Sequence, residues 1–146
     1  MLNSIFTGDS KAVLQWDHWT TVRNRVAHVF KFTIKPENSS YHISFRYQGR
    51  FAAQSVKAGQ HGYVYIDRDT NQVLRIIGEA DTIPKNFPVQ FSSTVLDYDF
   101  VDVGGRQFLL PLRADVRMST DRLNTRNLVE FHGYRKFSGE STITFQ

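Results

Sequence analysis

Apolar and polar residues alternate with a period of two along much of the chain. Two segments, 26–34 and 41–48, show the pattern most regularly. The large residues on one face of each are Val26, His28, Phe30, Phe32 and Ile34, and then Tyr41, Ile43, Phe45 and Tyr47. Such alternation predicts strands that are buried on one face and solvated on the other. The turn formers in 35–40 predict that the two strands form a hairpin.

A second hairpin is predicted where residues 62–67 continue into 72–78 through the polar turn 68–71. The turn pairs Asp67 with Gln72. That pairing sets four large apolar residues on one face, with Tyr65 opposite Leu74 and Tyr63 opposite Ile76. Because the turn and the apolar pattern agree, this register is the one that we expect.

A third hairpin is predicted from 89–103 and 106–118, which flank two adjacent glycines that can adopt a tight turn. Pairing Val103 with Arg106 sets Val101 opposite Phe108 and Leu96 opposite Arg113. Pro111 lacks a backbone N–H, so it marks an edge or a bulge in the return strand.

The remaining pattern predicts little helix. The best helical candidate is 2–6, and 11–22 is either a strand or a short helix. Further strands are expected near 50–56, 126–136 and 140–145, which gives eight or nine in all. The predicted fold is therefore mostly β, a curved antiparallel meander that forms a half-barrel or open barrel. The length of 146 residues suits one domain, 1–146.

Composition adds a question about how this sheet is covered. The chain has 12 Phe, 6 Tyr and 2 Trp, so the sheet has large apolar faces to bury. With so little helix, the sheet must close on itself, pair with a second copy, or be covered by a segment outside the chain. The second of these possibilities predicts that the protein forms a homo-oligomer.

The net charge and the lengths of the apolar runs argue against two classes of protein, nucleic-acid-binding proteins and proteins with transmembrane helices. The formal net charge is +4, with nine Lys/Arg against five Asp/Glu in 1–73 and nine against nine in 74–146. No dense basic stripe accompanies a nucleic-acid-binding module, so nucleic acid is not an expected partner. No apolar run approaches the roughly 20 residues of a transmembrane helix. The first residues carry no signal-peptide pattern.

Metal and cofactor chemistry are not expected. Cysteine is absent and the five histidines lack the spacing of a zinc site. Residues 67–71 imitate the start of a calcium loop. Gln72 and Gly78 stand where that motif needs Gly and Glu. We therefore interpret this segment as a turn stabilised by its own polar side chains.

Two charged clusters are candidates for chemistry. Glu130 and His132 alternate onto one face of a predicted strand and could form an acid–base pair, although a solvated strand face has the same pattern. Asp97, Asp99 and Asp102 lie opposite a strand that carries Arg113 and Arg117, which favours cross-strand ion pairs over catalysis.

Three segments resemble the sheet of the periplasmic lipoprotein-carrier superfamily, which includes the carrier LolA, the receptor LolB and the sensor RseB. They are TVRNRVAHVFKFTI (21–34), GYVYIDRDTNQVLRI (62–76) and STVLDYDFVDVGGRQFLLPLRADVRM (93–118), and the tail RKFSGESTITF (135–145) is also similar. The resemblance implies an unclosed, bent sheet around a hydrophobic cavity that holds acyl chains and performs no chemistry. It also implies a periplasmic or secreted protein, and a chain truncated at its N-terminus relative to that family.

The resemblance implies that one face of the sheet binds the ligand, and it implies no role for any individual residue on that face. The candidates for a ligand-binding face are Phe30, Phe32, Tyr41, Phe45, Tyr63, Tyr65, Leu74 and Ile76. An ordinary packed core has the same alternation. The first hypothesis is a non-enzymatic domain that binds a lipid or other apolar ligand. The alternatives are an assembly module that self-associates through its apolar face and a small hydrolase that uses Glu130 and His132.

Overall fold

A computed structural model describes residues 2–47, 49 and 52–136. A short helix, α1 (Leu2–Phe6), precedes nine strands, with 3-10 turns at Gly8–Ser10 and Pro36–Asn38. The strands are β1 (Val13–Val22), β2 (Arg25–Ile34), β3 (His42–Phe45), β4 (Gln54–Lys57), β5 (Gly59–Asp67), β6 (Val73–Asp81), β7 (Val89–Val103), β8 (Arg106–Thr120) and β9 (Asn124–Glu130). The expected helix and the mostly β class are confirmed, whereas a strand at 140–145 lies outside the described residues.

Seven strands form one antiparallel sheet in the order β1-β2-β5-β6-β7-β8-β9, which is open at β1 and β9. The predicted meander is therefore confirmed. The predicted hairpin between 26–34 and 41–48 is wrong. Strand β2 pairs with β1 and β5, and β3 pairs with β4 in a separate small sheet. The small sheet buries Ile43 against Phe87 and Val89, and this packing accounts for the departure of β3 from the main sheet.

The β5–β6 hairpin is confirmed, but its predicted register fails beyond the turn. The N–H of Asp67 donates to the carbonyl of Gln72 at 2.8 Å, as expected. A bulge then leaves Leu74 without a partner on β5, so that Tyr65 pairs with Arg75. Tyr63 consequently pairs with Ile77, and Ile76 lies on the opposite face from the two tyrosines.

The β7–β8 hairpin behaves in the same way. Val103 pairs with Arg106 and Val101 with Phe108, as predicted. Tyr98 then pairs with Pro111 and Asp97 with Arg113, which leaves Leu112 as the extra residue. The predicted pairing of Leu96 with Arg113 is therefore wrong by one position. The bulge that Pro111 indicated is present next to it.

The two faces of the large sheet differ in what covers them. On one face, here called the helix face, Ile5 of α1 packs into a buried cluster. The other buried members of this cluster are Phe32, Ile34, Val64, Ile76 and Tyr98. The opposite face, here called the arginine face, carries Arg75 on β6, Arg113 and Arg117 on β8, and Arg126 on β9. No helix in the described part of the chain is long and apolar enough to cross a membrane.

Candidate functional site: an arginine cleft on the open face of the sheet

A row of side chains crosses five adjacent strands on the arginine face. Tyr65 pairs with Arg75, Arg75 with Asp97, Asp97 with Arg113, and Arg113 with Glu130. Directly paired residues of antiparallel strands point to the same face. The two bulges are what bring Arg75 and Arg113 into this row, because each shifts its strand by one residue.

Asp97 is a buried carboxylate at the centre of this row. Its side chain is only 4% exposed, and its Oδ1 accepts from Nε of Arg75 at 2.5 Å and from Nη1 of Arg23 at 3.3 Å. Arg113 approaches Oδ2 at 3.5 Å. Arg23 comes from the β1–β2 turn and also donates to the carbonyls of Leu74 and Tyr98. One carboxylate therefore gathers three guanidinium groups from three elements.

The arginines line a cleft of about 520 Å³. Its walls are formed by Arg23, Arg75, Asp97, Leu112, Arg113, Glu130, Phe131 and His132. Each guanidinium has five N–H donors, so the contacts with Asp97 leave donors that can face the cleft. Arg113 has the most exposed side chain of the three arginines. Carboxylate and phosphate groups match the planar fork of such donors.

The predicted acid–base pair lies at the rim of this cleft. Glu130 ends β9 and His132 follows the strand, and both are exposed. Among the hydrogen bonds and ion pairs of the described residues, none joins these two side chains. The structure thus brings the pair into the cleft without the contact that a general base needs from the group that orients it.

An apolar pocket of about 340 Å³ lies between β8 and residues 134–136, next along both segments from the cleft, which Leu112, Phe131 and His132 line. Phe131 donates its N–H to the carbonyl of Leu112 at 3.0 Å, and the Tyr134 hydroxyl donates to the carbonyl of Pro111 at 2.5 Å. Burial raises the pKa of Tyr134. The pocket is lined by Val103, Phe108, Leu110, Tyr134, Arg135 and Lys136. An apolar pocket and a cationic cleft therefore adjoin on the same face of β8.

A second carboxylate on the arginine face repeats the arrangement around Asp97. Asp115 accepts two hydrogen bonds from Arg126, at 3.0 and 2.8 Å, and two from Arg117, at 3.4 and 3.1 Å. These hydrogen bonds, with Arg126 contributing most, lower the pKa of Asp115 to about 2. Its side chain is 11% exposed, whereas those of Arg117 and Arg126 are 54% and 57% exposed. Asp97 and Asp115 therefore lie inside, and the guanidinium groups around them lie farther out.

The structure divides the eight candidate ligand-face residues among three places. Phe30, Phe32 and Ile76 lie on the helix face, and of these Phe30 remains partly exposed beside Trp16 of β1. Tyr63, Tyr65 and Leu74 lie on the arginine face. Tyr41 and Phe45 pack against the cluster of the small sheet. Phe32, Leu74 and Ile76 are fully buried core.

The calcium-like turn holds no open acidic site. Asp67 is completely buried, and its Oδ2 accepts from Arg25 at 2.8 Å and from Thr70 at 2.7 Å. Those contacts outweigh the opposing effect of burial and lower the pKa of Asp67. Within the described residues no group of three or more His, Asp or Glu side chains could hold a metal ion.

The sequence pattern did not indicate that Arg23 and Arg75 belong to a site. Arg23 has a positive φ of 44° in the β1–β2 turn, and nothing in its sequence surroundings indicates that it reaches β6 and β7. No family model, curated protein or solved structure matches the chain.

Proposed function

We propose that the chain is a non-enzymatic β domain that binds an anionic amphiphile, a molecule with one apolar chain and a carboxylate or phosphate head. The observation that carries the proposal is the adjacency of the arginine cleft and the apolar pocket on one face of β8. The head would meet Arg113 and its neighbours. The chain would lie along Leu110 and Phe108, against residues 134–136.

The shape and chemistry of the two spaces support a ligand with two chemically distinct ends. A purely apolar ligand would fill the apolar pocket and make no use of the guanidinium donors that can face the cleft. A small anion alone would leave the apolar pocket unused. An acyl chain with an acidic head satisfies both spaces, because burial of each CH₂ contributes about 0.8 kcal/mol and the head makes charge-assisted hydrogen bonds.

This proposal keeps the acyl ligand that the resemblance to lipoprotein carriers implies, and it moves the site to the arginine face. A periplasmic or secreted location belongs to the same proposal. Hydrolysis is not proposed, since Glu130 and His132 lack a mutual contact and no Ser, Thr or Cys lies among the lining residues of the cleft.

Native mass spectrometry of the purified protein is the first test. We expect an extra mass of several hundred daltons, on the order of one acyl lipid, that is lost on denaturation. Calorimetric titration with dodecanoate, dodecanol and inorganic phosphate follows. We expect dodecanoate to bind more tightly than either dodecanol or phosphate, because only dodecanoate occupies both spaces.

Two matched variant pairs locate the ligand. Arg113→Gln should weaken dodecanoate binding about tenfold or more, whereas Arg68→Gln, with similar exposure on the β5–β6 turn and outside the lining of the cleft, should not. Phe108→Ala should weaken it about fivefold, whereas Phe91→Ala, equally exposed outside the pocket, should not. Equal binding of dodecanol and dodecanoate, or no effect of Arg113→Gln, would refute the proposal.

Self-association through β1 is a second candidate function. This strand is an edge of the sheet, and it exposes Val13, Leu14, Trp16 and Trp19. A long edge strand with exposed apolar side chains can pair with a second copy. Light scattering should then show a dimer that Trp16→Lys dissociates, and a monomer at all concentrations would exclude this candidate.

A further inference from the structure

The β8–β9 hairpin carries exposed cations and exposed leucines on one continuous surface. Arg117, Arg126 and Leu128 share the arginine face, and Arg122 and Leu123 lie at the turn that joins the strands. All five are exposed, and β9 is an edge of the sheet. These five residues are called the hairpin patch below.

We infer that the hairpin patch docks the protein on the surface of a bilayer that contains anionic lipids. The inference rests on the proposed function at one point: the bilayer would be the source of the anionic amphiphile that binds in the cleft. The partner is identified by charge complementarity and by the mixture of arginine and leucine side chains.

Burial of Asp115 gives the hairpin patch its positive surface. Asp115 lies beneath Arg117 and Arg126, so an approaching partner meets the two guanidinium groups before the carboxylate. Each guanidinium keeps N–H donors beyond those that Asp115 accepts. Arg122 is partly balanced by Asp121 at 3.5 Å. The exposed charge of the patch is therefore cationic, which is complementary to anionic lipid heads.

The leucines favour a bilayer over a nucleic acid. Aliphatic side chains beside arginines can enter the boundary between head groups and acyl chains, while the arginines remain at the phosphates. Stacking on nucleic-acid bases instead uses aromatic side chains, and the hairpin patch has none.

The patch also continues into the cleft, because Arg113 and Glu130 form the next paired row on the arginine face after Asp115 and Leu128. A lipid that leaves the bilayer there would meet the cleft directly.

Vesicle cosedimentation tests the inference. We expect the protein to bind vesicles of phosphatidylcholine with phosphatidylglycerol and not vesicles of phosphatidylcholine alone. Binding should fall strongly between about 0.1 M and about 1 M salt, where the screening length falls from about 10 Å to about 3 Å. The double variant Arg117→Gln with Arg126→Gln should weaken binding about 30-fold, while Arg68→Gln should leave it unchanged.

A second variant guards against misfolding, because loss of both arginines leaves Asp115 without partners. Arg122→Gln with Leu128→Ser keeps the Asp115 contacts and should still weaken vesicle binding severalfold. Vesicle binding that does not depend on phosphatidylglycerol, or that survives both double variants, would overturn the inference. So would patch-dependent binding of a labelled oligonucleotide or patch-dependent dimerisation in place of vesicle binding.

The outcomes for the cleft and for the hairpin patch are separable. Phe108→Ala should bind vesicles like the unmodified protein while it loses affinity for dodecanoate. The Arg122→Gln and Leu128→Ser variant should do the reverse. Failure of the vesicle assay alone refutes docking, and failure of the dodecanoate titration alone refutes the proposed function.

Discussion

Arg126 holds Asp115 through two parallel hydrogen bonds, Nε to Oδ1 at 3.0 Å and Nη2 to Oδ2 at 2.8 Å. Such a bidentate contact between adjacent strands favours the ionised carboxylate, which explains the pKa of about 2. The contact links the edge strand β9 to β8. It also orients Arg126 with its remaining donors toward solvent.

The depressed pKa predicts an acid-dependent contribution of Asp115 to stability. The folded pKa lies below the value near 4 of an unfolded aspartate, so the contribution is complete above about pH 4 and disappears as the pH falls through about 2. Urea unfolding of the protein and of Asp115→Asn should therefore differ clearly at pH 7 and converge toward pH 2. Asp121→Asn, on the exposed turn, is the control and should show no such convergence. A difference between the protein and Asp115→Asn that is independent of pH would contradict the assignment.

Gly62 is required by the close approach of β5 to β6. A Cβ atom at this position would lie 1.9 Å from the carbonyl oxygen of Ile77, which is backbone and cannot move aside freely. We expect Gly62→Ala to destabilise the protein by about 3 kcal/mol or more, or to prevent folding. Gly8→Ala meets no atom within 4 Å and should leave the midpoint of thermal unfolding nearly unchanged. Equal midpoints for the two variants would show that β5 and β6 do not pair in this way.

The bulge at Leu74 predicts different costs for two adjacent isoleucines. Ile76 is fully buried in the cluster under α1, whereas Ile77 is partly exposed on the arginine face. Ile76→Ala should lower the free energy of unfolding by about 2–5 kcal/mol, and Ile77→Ala should lower it by distinctly less. Denaturant titration of both variants measures the difference. A larger loss for Ile77→Ala would mean that β6 has the opposite orientation.

Local signals were enough to predict most of the sheet. The β7–β8 hairpin follows from Gly104 and Gly105, whose φ angles of 62° and 80° suit a tight turn. Strand alternation then defined the neighbouring elements. The pairing of strand β3 was predicted wrongly. Its place in the fold depends on the burial of Ile43 against Phe87 and Val89, which the alternation within β3 does not indicate.

The candidate site was less predictable, since it depends on the bulges and on long-range contacts. The extra residues Leu74 and Leu112 are ordinary apolar residues, so no signal marks them as bulges. The charge count placed the basic excess in the first half of the chain. It could not show that Asp97 and Asp115 are buried beneath arginines, so that the guanidinium groups around these two carboxylates are the charges exposed to solvent.

Arg23 is expected to be the main structural arginine of the cleft. It ties the β1–β2 turn to Asp97 and Asp99 and to two backbone carbonyls, and its side chain is less exposed than that of Arg113. Lysine carries one ammonium group and cannot satisfy four acceptors spread over two strands. We therefore expect Arg23→Lys to lower the free energy of unfolding by about 1–3 kcal/mol.

Arg113→Lys is the matched comparison, because Arg113 makes a single contact with Asp97 at 3.5 Å. Its loss should cost less than about 1 kcal/mol, as for other exposed ion pairs. In dodecanoate titration, under conditions where both variants are fully folded, the order of their effects on affinity should be the reverse of the order of their effects on stability. Arg113→Lys should lose the larger part of the affinity, because Arg113 has the donors that face the cleft. Equal stability of the two variants would show that Arg23 does not hold the turn against β6 and β7.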